Sequence, residues 1–255
     1  RTDLSFSVRA YHDNLEYSTI GWRTFFSSAG LLLSLKHWRL LWDWHRFQME
    51  APKAAEHLSS VKAGDYFRKH NYSDRFVNGH MAPLCAALWA QSQSNALDTP
   101  LQHLASIVQD QEIFQHPAQS LWQVVSGGAS QYLEAFAEQF PGDIRCSAKV
   151  QRVRRHQDGV TLETATESLE FDAVIMACHS DQALEALVLP SKAEADVLGA
   201  IKYVDNQVIL HGDASYMPRD PQNWSSWNAR IDEETGRSET TYWMNRVQGI
   251  RGPQF

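Results

Sequence analysis

The chain holds eleven histidines, a residue type that could ligate a metal. His37, His45, His57, His70, His80 and His103 are scattered, without an HExxH or a paired Cys/His spacing, so no metal ligand is assigned. Cys85, Cys146 and Cys178 are odd in number and far apart. They form neither a disulfide framework nor a CxxC pair, and a reducing, cytoplasmic setting is expected. Triad hydrolysis would need GxSxG at a strand-to-helix turn, which is absent. Ser126-Gly127-Gly128-Ala129-Ser130 is glycine-rich but lacks the GxGxxG spacing that seats a pyrophosphate on a helix N-terminus. Trp224, Trp227, Tyr242 and Trp243 read more readily as sheet packing than as a substrate cage. No catalytic residue follows from spacing alone.

The elements that would position these residues fall into two textures. Leu4, Phe6, Val8 and Ala10 alternate with polar residues, as in a half-buried strand, and Asp13-Asn14 supplies a hairpin turn. From about Trp22 to Asp110 the pattern is helical. Ser73 is a candidate N-cap for a helix carrying Val77, Met81, Leu84 and Leu88 on one stripe, with a kink expected at Pro83. Asp98-Thr99-Pro100 should launch a helix through Leu101, Leu104 and Val108. After Leu121 the order becomes strand (121–125), turn (126–128) and a helix with Tyr132, Leu133, Phe136 and Phe140 on one face. A strand through Lys149, Val150 and Val153 follows, then an Asp158-Gly159 hairpin turn and a return strand through Val160, Leu162 and Thr164. The apolar run Ala173 to Ala177 reads as a fully buried strand, and Ser191 with Glu194 as a capping box for a helix ending near Ala200. Strand texture resumes at Val204 to His211 and Thr240 to Gln248.

A composition of 43% hydrophobic and 21% charged residues excludes disorder, and 255 residues suffice for one large domain or two modest ones. A net charge of −7 argues against nucleic acid as a partner. The segment from Leu31 to Phe47 is aromatic, basic and helical. It could make a peripheral membrane contact or line an acyl-chain entrance; the plainer reading is a helix buried in the helical layer, with Lys36 and Arg39 at its edge. It is too polar and too short in apolar run to span a bilayer. The chain opens at Arg1 in a strand-like pattern and stops soon after another, as the interior of a larger protein would.

Ser126-Gly127-Gly128, the segment Ala148 to Val153, Asp158-Gly159-Val160 and Phe171 to Ala177 together resemble, in order and spacing, the middle of the flavin-containing amine oxidase superfamily. Leu4 to Arg9, Val124 to Tyr132, His179 to Leu184, Met217-Pro218-Arg219 and Thr241 to Arg246 are similar to a bacterial subgroup of predicted NAD/FAD-binding proteins associated with cyclopropane fatty acid synthases.

The resemblance implies an α/β protein: a partial FAD-binding, Rossmann-type domain at 119–200, with a substrate domain of hairpin and helical layer at 1–118 and of β-sheet at 201–255. FAD is the implied cofactor. Val150 would contact the adenine through its backbone, and Ala177, Cys178 and His179 would lie near the adenosine and diphosphate; ligands collect at the carboxyl ends of strands in such sheets. On the residues alone, Val150 and Ala177 are equally core positions. Asn206, Tyr242, Trp243 and Asn245 are the implied substrate-pocket residues. Asn206 stands where many amine oxidases have a lysine near the flavin N5, which points away from amine oxidation. The implied reaction is hydride transfer from a substrate C–H bond to flavin, with a small molecule or a lipid acyl chain as substrate. The alternative is a non-catalytic lipid- or partner-binding module retaining the flavoprotein fold. Without a GxGxxG loop, residues 1–255 alone are expected to bind FAD poorly and to be inactive.

Overall fold

A computed structural model describes residues 2, 5–10, 15–57, 60–89, 96–111, 123–232 and 237–252. The chain divides into two compact units, residues 1–132 with 206–255, and residues 133–205.

The first unit is a mixed sheet covered by helices. Strand β1 (Phe6–Ala10) pairs antiparallel with β2 (Leu15–Ser18), as the hairpin pattern predicts; the Asp13-Asn14 turn and Leu4 lie outside the described residues. On its other edge β1 runs parallel to β6 (Trp227–Asp232), which pairs antiparallel with β7 (Arg237–Tyr242), giving the order β2-β1-β6-β7. The expectation of a half-buried β1 is corrected: Ser5 and Ser7 are buried as fully as Phe6 and Val8. Their hydroxyls tolerate this because Ser7 Oγ donates to Asn228 Oδ1 at 2.7 Å and Ser226 N donates to Ser5 Oγ at 2.9 Å.

Helices α1 (Trp22–Phe25) and α2 (Ala29–Leu32) lead into the long α3 (Leu35–His57). Buried His37, Leu40, Trp44, Phe47 and Ala51 recur every three or four residues, forming one stripe of α3 against the core. Helix α4 (Ala63–Lys69) and the short α5 (Asp74–Phe76) follow, and Ser73 caps α5 as predicted, its Oγ accepting from Phe76 N. The irregularity expected at Pro83 takes the form of a π-type turn at Val77–Met81 running into α6 (Ala82–Trp89). Pro83 has no N–H for the carbonyl of Gly79; that carbonyl instead accepts from Tyr17 Oη at 3.3 Å. Met81 and Leu84 are buried, with Val77 and Leu88 packed beside them. Helix α7 (Leu101–Gln111) begins after Pro100 as predicted and buries Leu101 and Leu104; the side chain of Val108 lies outside the described residues.

The expected strand at 121–125 is not formed: residues 123–125 are irregular and 121–122 lie outside the described residues. Gly127 and Gly128, at φ of 83° and 90°, make the turn into α8 (Ser130–Gln139), a backbone path that glycine follows without a Cβ penalty. At the other end, the expected strand at 204–211 is irregular and exposed, and the expected strand at 240–248 ends at Tyr242 and becomes α11 (Met244–Gln248).

The second unit holds the antiparallel meander β3 (Arg152–His156), β4 (Gly159–Glu163) and β5 (Ser168–Phe171), with α9 (Ser180–Ala186) and α10 (Lys192–Ala200). The hairpin turn falls on Gln157-Asp158, and Gly159 is already in β4 opposite His156. A Cβ at Gly159 would sit 2.5 Å from the Phe171 carbonyl oxygen, so the close approach of β5 requires glycine. The capping box forms as predicted, with Ser191 N donating to Glu194 Oε2 at 2.7 Å and Glu194 N to Ser191 Oγ at 3.3 Å. Ala173–Ala177 is a correction: it is irregular rather than a buried strand, and Ile175 is 93% exposed. An apolar run becomes a central strand only where neighbours pair with both its edges, and the described β3-β4-β5 sheet does not include it.

Candidate functional site

Val153, Val160 and Ala186 form the small buried cluster of the second unit, with Val150, Leu162, Met176 and Leu187 packed on it. Beside this cluster lies a cavity of about 580 Å³ lined by Lys149, Val150, Ala177, Cys178, Gln182 and Glu185, among others. Besides Leu162 of β4, three chain segments meet there. The first enters β3, where Gln151 N donates to Glu163 O at 2.8 Å; Val150 is half-buried, two residues before the first paired residue, Arg152. The second is the irregular run through Ala177 and Cys178. The third is α9, whose Gln182 and Glu185 share a face by their three-residue spacing.

The second segment is fixed from behind. His179 caps α9, its carbonyl accepting from Ala183 N at 2.8 Å, and its ring lies over Tyr203 at 4.4 Å with planes 10° apart. Tyr203 Oη accepts from Ser180 N at 3.0 Å, and Ser180 Oγ donates to Leu198 O at 2.9 Å. Across the sheet, Arg155 grips Glu194 with two bonds of 2.6 and 3.0 Å. That guanidinium, with the Ser191 N–H, holds the Glu194 carboxyl down at about 2. On β4 and β5, bonds from Thr161 and then His156 lower the Glu170 carboxyl.

Of the residues assigned to the cofactor, Val150, Ala177 and Cys178 are thus brought to one cavity, and His179 adjoins it on the Tyr203 ring. The substrate-pocket residues are placed differently. Tyr242 ends β7, donates from Oη to Ala87 O at 3.0 Å and meets Trp227 edge-on at 5.6 Å. Trp243 meets Trp224 edge-on at 5.4 Å, and Asn245 Nδ2 donates to Ile250 O at 3.2 Å. Asn206 is exposed on the irregular segment after α10. Tyr242 and Trp243 pack the end of the sheet, and Asn206 lies on a separate stretch of chain.

Lys149, Gln182, Glu185 and Tyr203 went unassigned in the sequence. The three-residue spacing of Gln182 and Glu185 was a usable signal; nothing local indicates that Tyr203 would stack on His179. In the first unit, a second cavity of about 700 Å³ is walled by Trp22, Phe25, Trp38, Leu41, Trp42 and Trp44, with His45 and Gln48 at its polar side. Among the described residues there is no group of three metal-ligating side chains, and no helix long and apolar enough to cross a membrane.

A family model for flavin-containing amine oxidoreductases matches residues 3–211. The chain belongs to that family. No curated protein matches it. Flavin-containing amine oxidoreductases bind FAD, so FAD is the cofactor and a flavin-dependent oxidoreductase the general function. The match covers the whole second unit and with it the first cavity.

Proposed function

We propose that residues 133–205 are part of the FAD domain and receive the adenine end of FAD in the cavity at Val150. The observation that carries this is the convergence of Val150, before β3, with the adjacent Ala177 and Cys178, after β5, on one cavity of about 580 Å³. The residues suit the group: apolar walls for a flat heterocycle, with Lys149, Gln182 and Glu185 as a few polar groups to orient it. The backbone of Val150 directs the base, the small Ala177 lets the chain approach closely, and Tyr203 holds His179 and Ser180 in place. Bound FAD supplies the acceptor for a hydride from a substrate C–H bond, so no general base is required of this chain. The proposed substrate is a lipid acyl chain rather than a small amine. The apolar cavity between α1 and α3 supports it, as does the amide of Asn206 where a lysine would favour amines.

The full-length protein tests the cofactor placement. Val150→Pro, which removes a backbone N–H, should weaken FAD binding at least about tenfold, whereas Val150→Ala should weaken it less than about threefold. FAD should also shield exposed Cys178 from alkylation, read by mass spectrometry, while Cys146 stays reactive. Equal and negligible effects of both substitutions, with Cys178 labelled regardless of FAD, would remove the site from this cavity. Bleaching of the bound flavin by acyl but not amine substrates under anaerobic conditions tests the substrate class.

A further inference from the structure

Helix α3 carries two apolar stripes. One, His37 to Ala51, is inside. The other, Leu35, Trp38, Trp42 and Met49, has the same helical spacing and is exposed. At its N-terminal end this second stripe merges with an exposed shoulder. Leu33 and Leu35 are 82% and 84% exposed, beside Leu32 and Trp22. The aromatic rings form one connected group: Trp22 stacks on Phe26 at 6.2 Å, Phe26 lies 4.8 Å from Trp38, and Trp38 Nε1 donates to Leu32 O at 2.8 Å. Trp22, Trp38 and Trp42 also border the larger cavity.

Charge distinguishes this face from an ordinary sticky patch. The chain carries −7 overall, yet residues 17–42 contain Arg23, Lys36 and Arg39 and no aspartate or glutamate. Arg23 and Lys36 are exposed and close in sequence to the leucines and tryptophans; Lys36 and Arg39 line a neighbouring groove with Asp74 and Arg75, and Arg39 bonds Asp43 at 3.2 Å. Leucines to enter the acyl region, tryptophans for the interface and cations for headgroup phosphates are the three components of a surface-bound amphipathic segment. An acidic molecule would approach an anionic bilayer in this orientation, because a stretch without acidic residues here also exposes large apolar side chains.

We infer that the shoulder formed by Trp22, Leu32, Leu33, Leu35, Trp38 and Trp42 docks on an anionic lipid bilayer. Leu33 and Leu35 enter first, and Arg23 and Lys36 meet the headgroups. The inference does not depend on the FAD assignment.

The test is flotation of the full-length protein with phosphatidylglycerol/phosphatidylcholine vesicles and with phosphatidylcholine vesicles alone, at low and high salt. Binding should be confined to the anionic vesicles and fall with salt. Leu33→Ser with Leu35→Ser should weaken it about tenfold or more, and Lys36→Gln about fivefold. Both leucines are so exposed that melting temperature and flavin content should not change, which separates this outcome from failure of the cofactor site. Absence of flotation, equal flotation with neutral vesicles, or binding indifferent to all three substitutions would each overturn the inference. A loss of self-association on Leu33→Ser/Leu35→Ser, without vesicle binding by the parent, would assign the face to a second copy instead.

Discussion

Residues 1–132 with 206–255 close around a continuous core that runs from Phe6 through Phe47, Phe67, Phe76 and Leu104 to Ile231. In residues 133–205 the buried cluster is confined to Val153, Val160 and Ala186, while Phe136, Phe140, Ile175, Val197 and Ile201 are exposed. The two regions are of similar chemistry in sequence, since both mix apolar strands and capped helices. They differ in what holds them: the first by apolar burial around linked aromatic rings, the second by strand pairing, a capping box and surface ion pairs such as Arg155 with Glu194. Apolar burial dominates stability, so opening should be costlier in the first region than in the second. The candidate cofactor cavity lies in the second, where local opening is easiest and where binding adds most to order.

The comparison can be broken most directly at Phe47, which is buried against Phe67 and Phe76. Phe47→Ala should cost about 3–5 kcal/mol in the unfolding of the first region, read by denaturant titration, while amide exchange in β3 and β4 remains as in the parent. A loss below about 1 kcal/mol would show that this core is not what holds the region.

Acid should act on the same region. Tyr17 is buried with its Oη 2.6 Å from His80 Nδ1, and His37 Nε2 donates to Phe25 O at 2.8 Å. Burial pushes the imidazole of His37 down to about 4 and that of His80 to about 3. Below the unfolded value near 6.5 the unfolded chain takes up protons that the folded chain refuses, so stability is full above that pH. It should decline as pH falls from about 6.5 to 4, and further to about 3. His37→Gln with His80→Gln should flatten that slope; an unchanged slope would place the acid sensitivity elsewhere.

The smallest effect belongs to the second region. Ser191→Ala removes the cap of α10 and should cost about 1 kcal/mol, seen as faster amide exchange across Lys192–Ala200 with no change in the first region's unfolding. Cooperative loss of both regions on this substitution would mean that they unfold as one.

Features set by near neighbours in the chain were legible in the sequence. The Ser73 and Ser191 caps, the β1-β2 pairing, the start of α7 at Leu101 and the β3-β4 hairpin each depend on a few adjacent residues. The pairing of β1 with β6, which brings Phe6 opposite Trp227, left no local mark. The candidate site was half legible: Val150, Ala177 and Cys178 followed from resemblance, whereas Tyr203 and Glu185 came from how α9 and α10 fold back on the meander. The misread segments are instructive too. Ala173–Ala177 and 204–211 have strand-like composition, but composition gives a strand only its faces, and its edges must be supplied by other segments.

By itself, then, the sequence determined most of the helical stretches, though not α9 or α11, the starts of α5, α7 and α10, and which side chains are apolar enough to be buried, because these depend on short-range sterics and hydrogen bonds. Tertiary structure alone decided that Ser5 and Ser7 could be buried on Asn228 and Ser226, that Gly79 would find Tyr17 once Pro83 withheld its N–H, and which of the two apolar stripes of α3 would face the core. Those outcomes turn on partners tens to hundreds of residues away, and a polar group or an apolar stripe is neutral between burial and exposure until such a partner arrives.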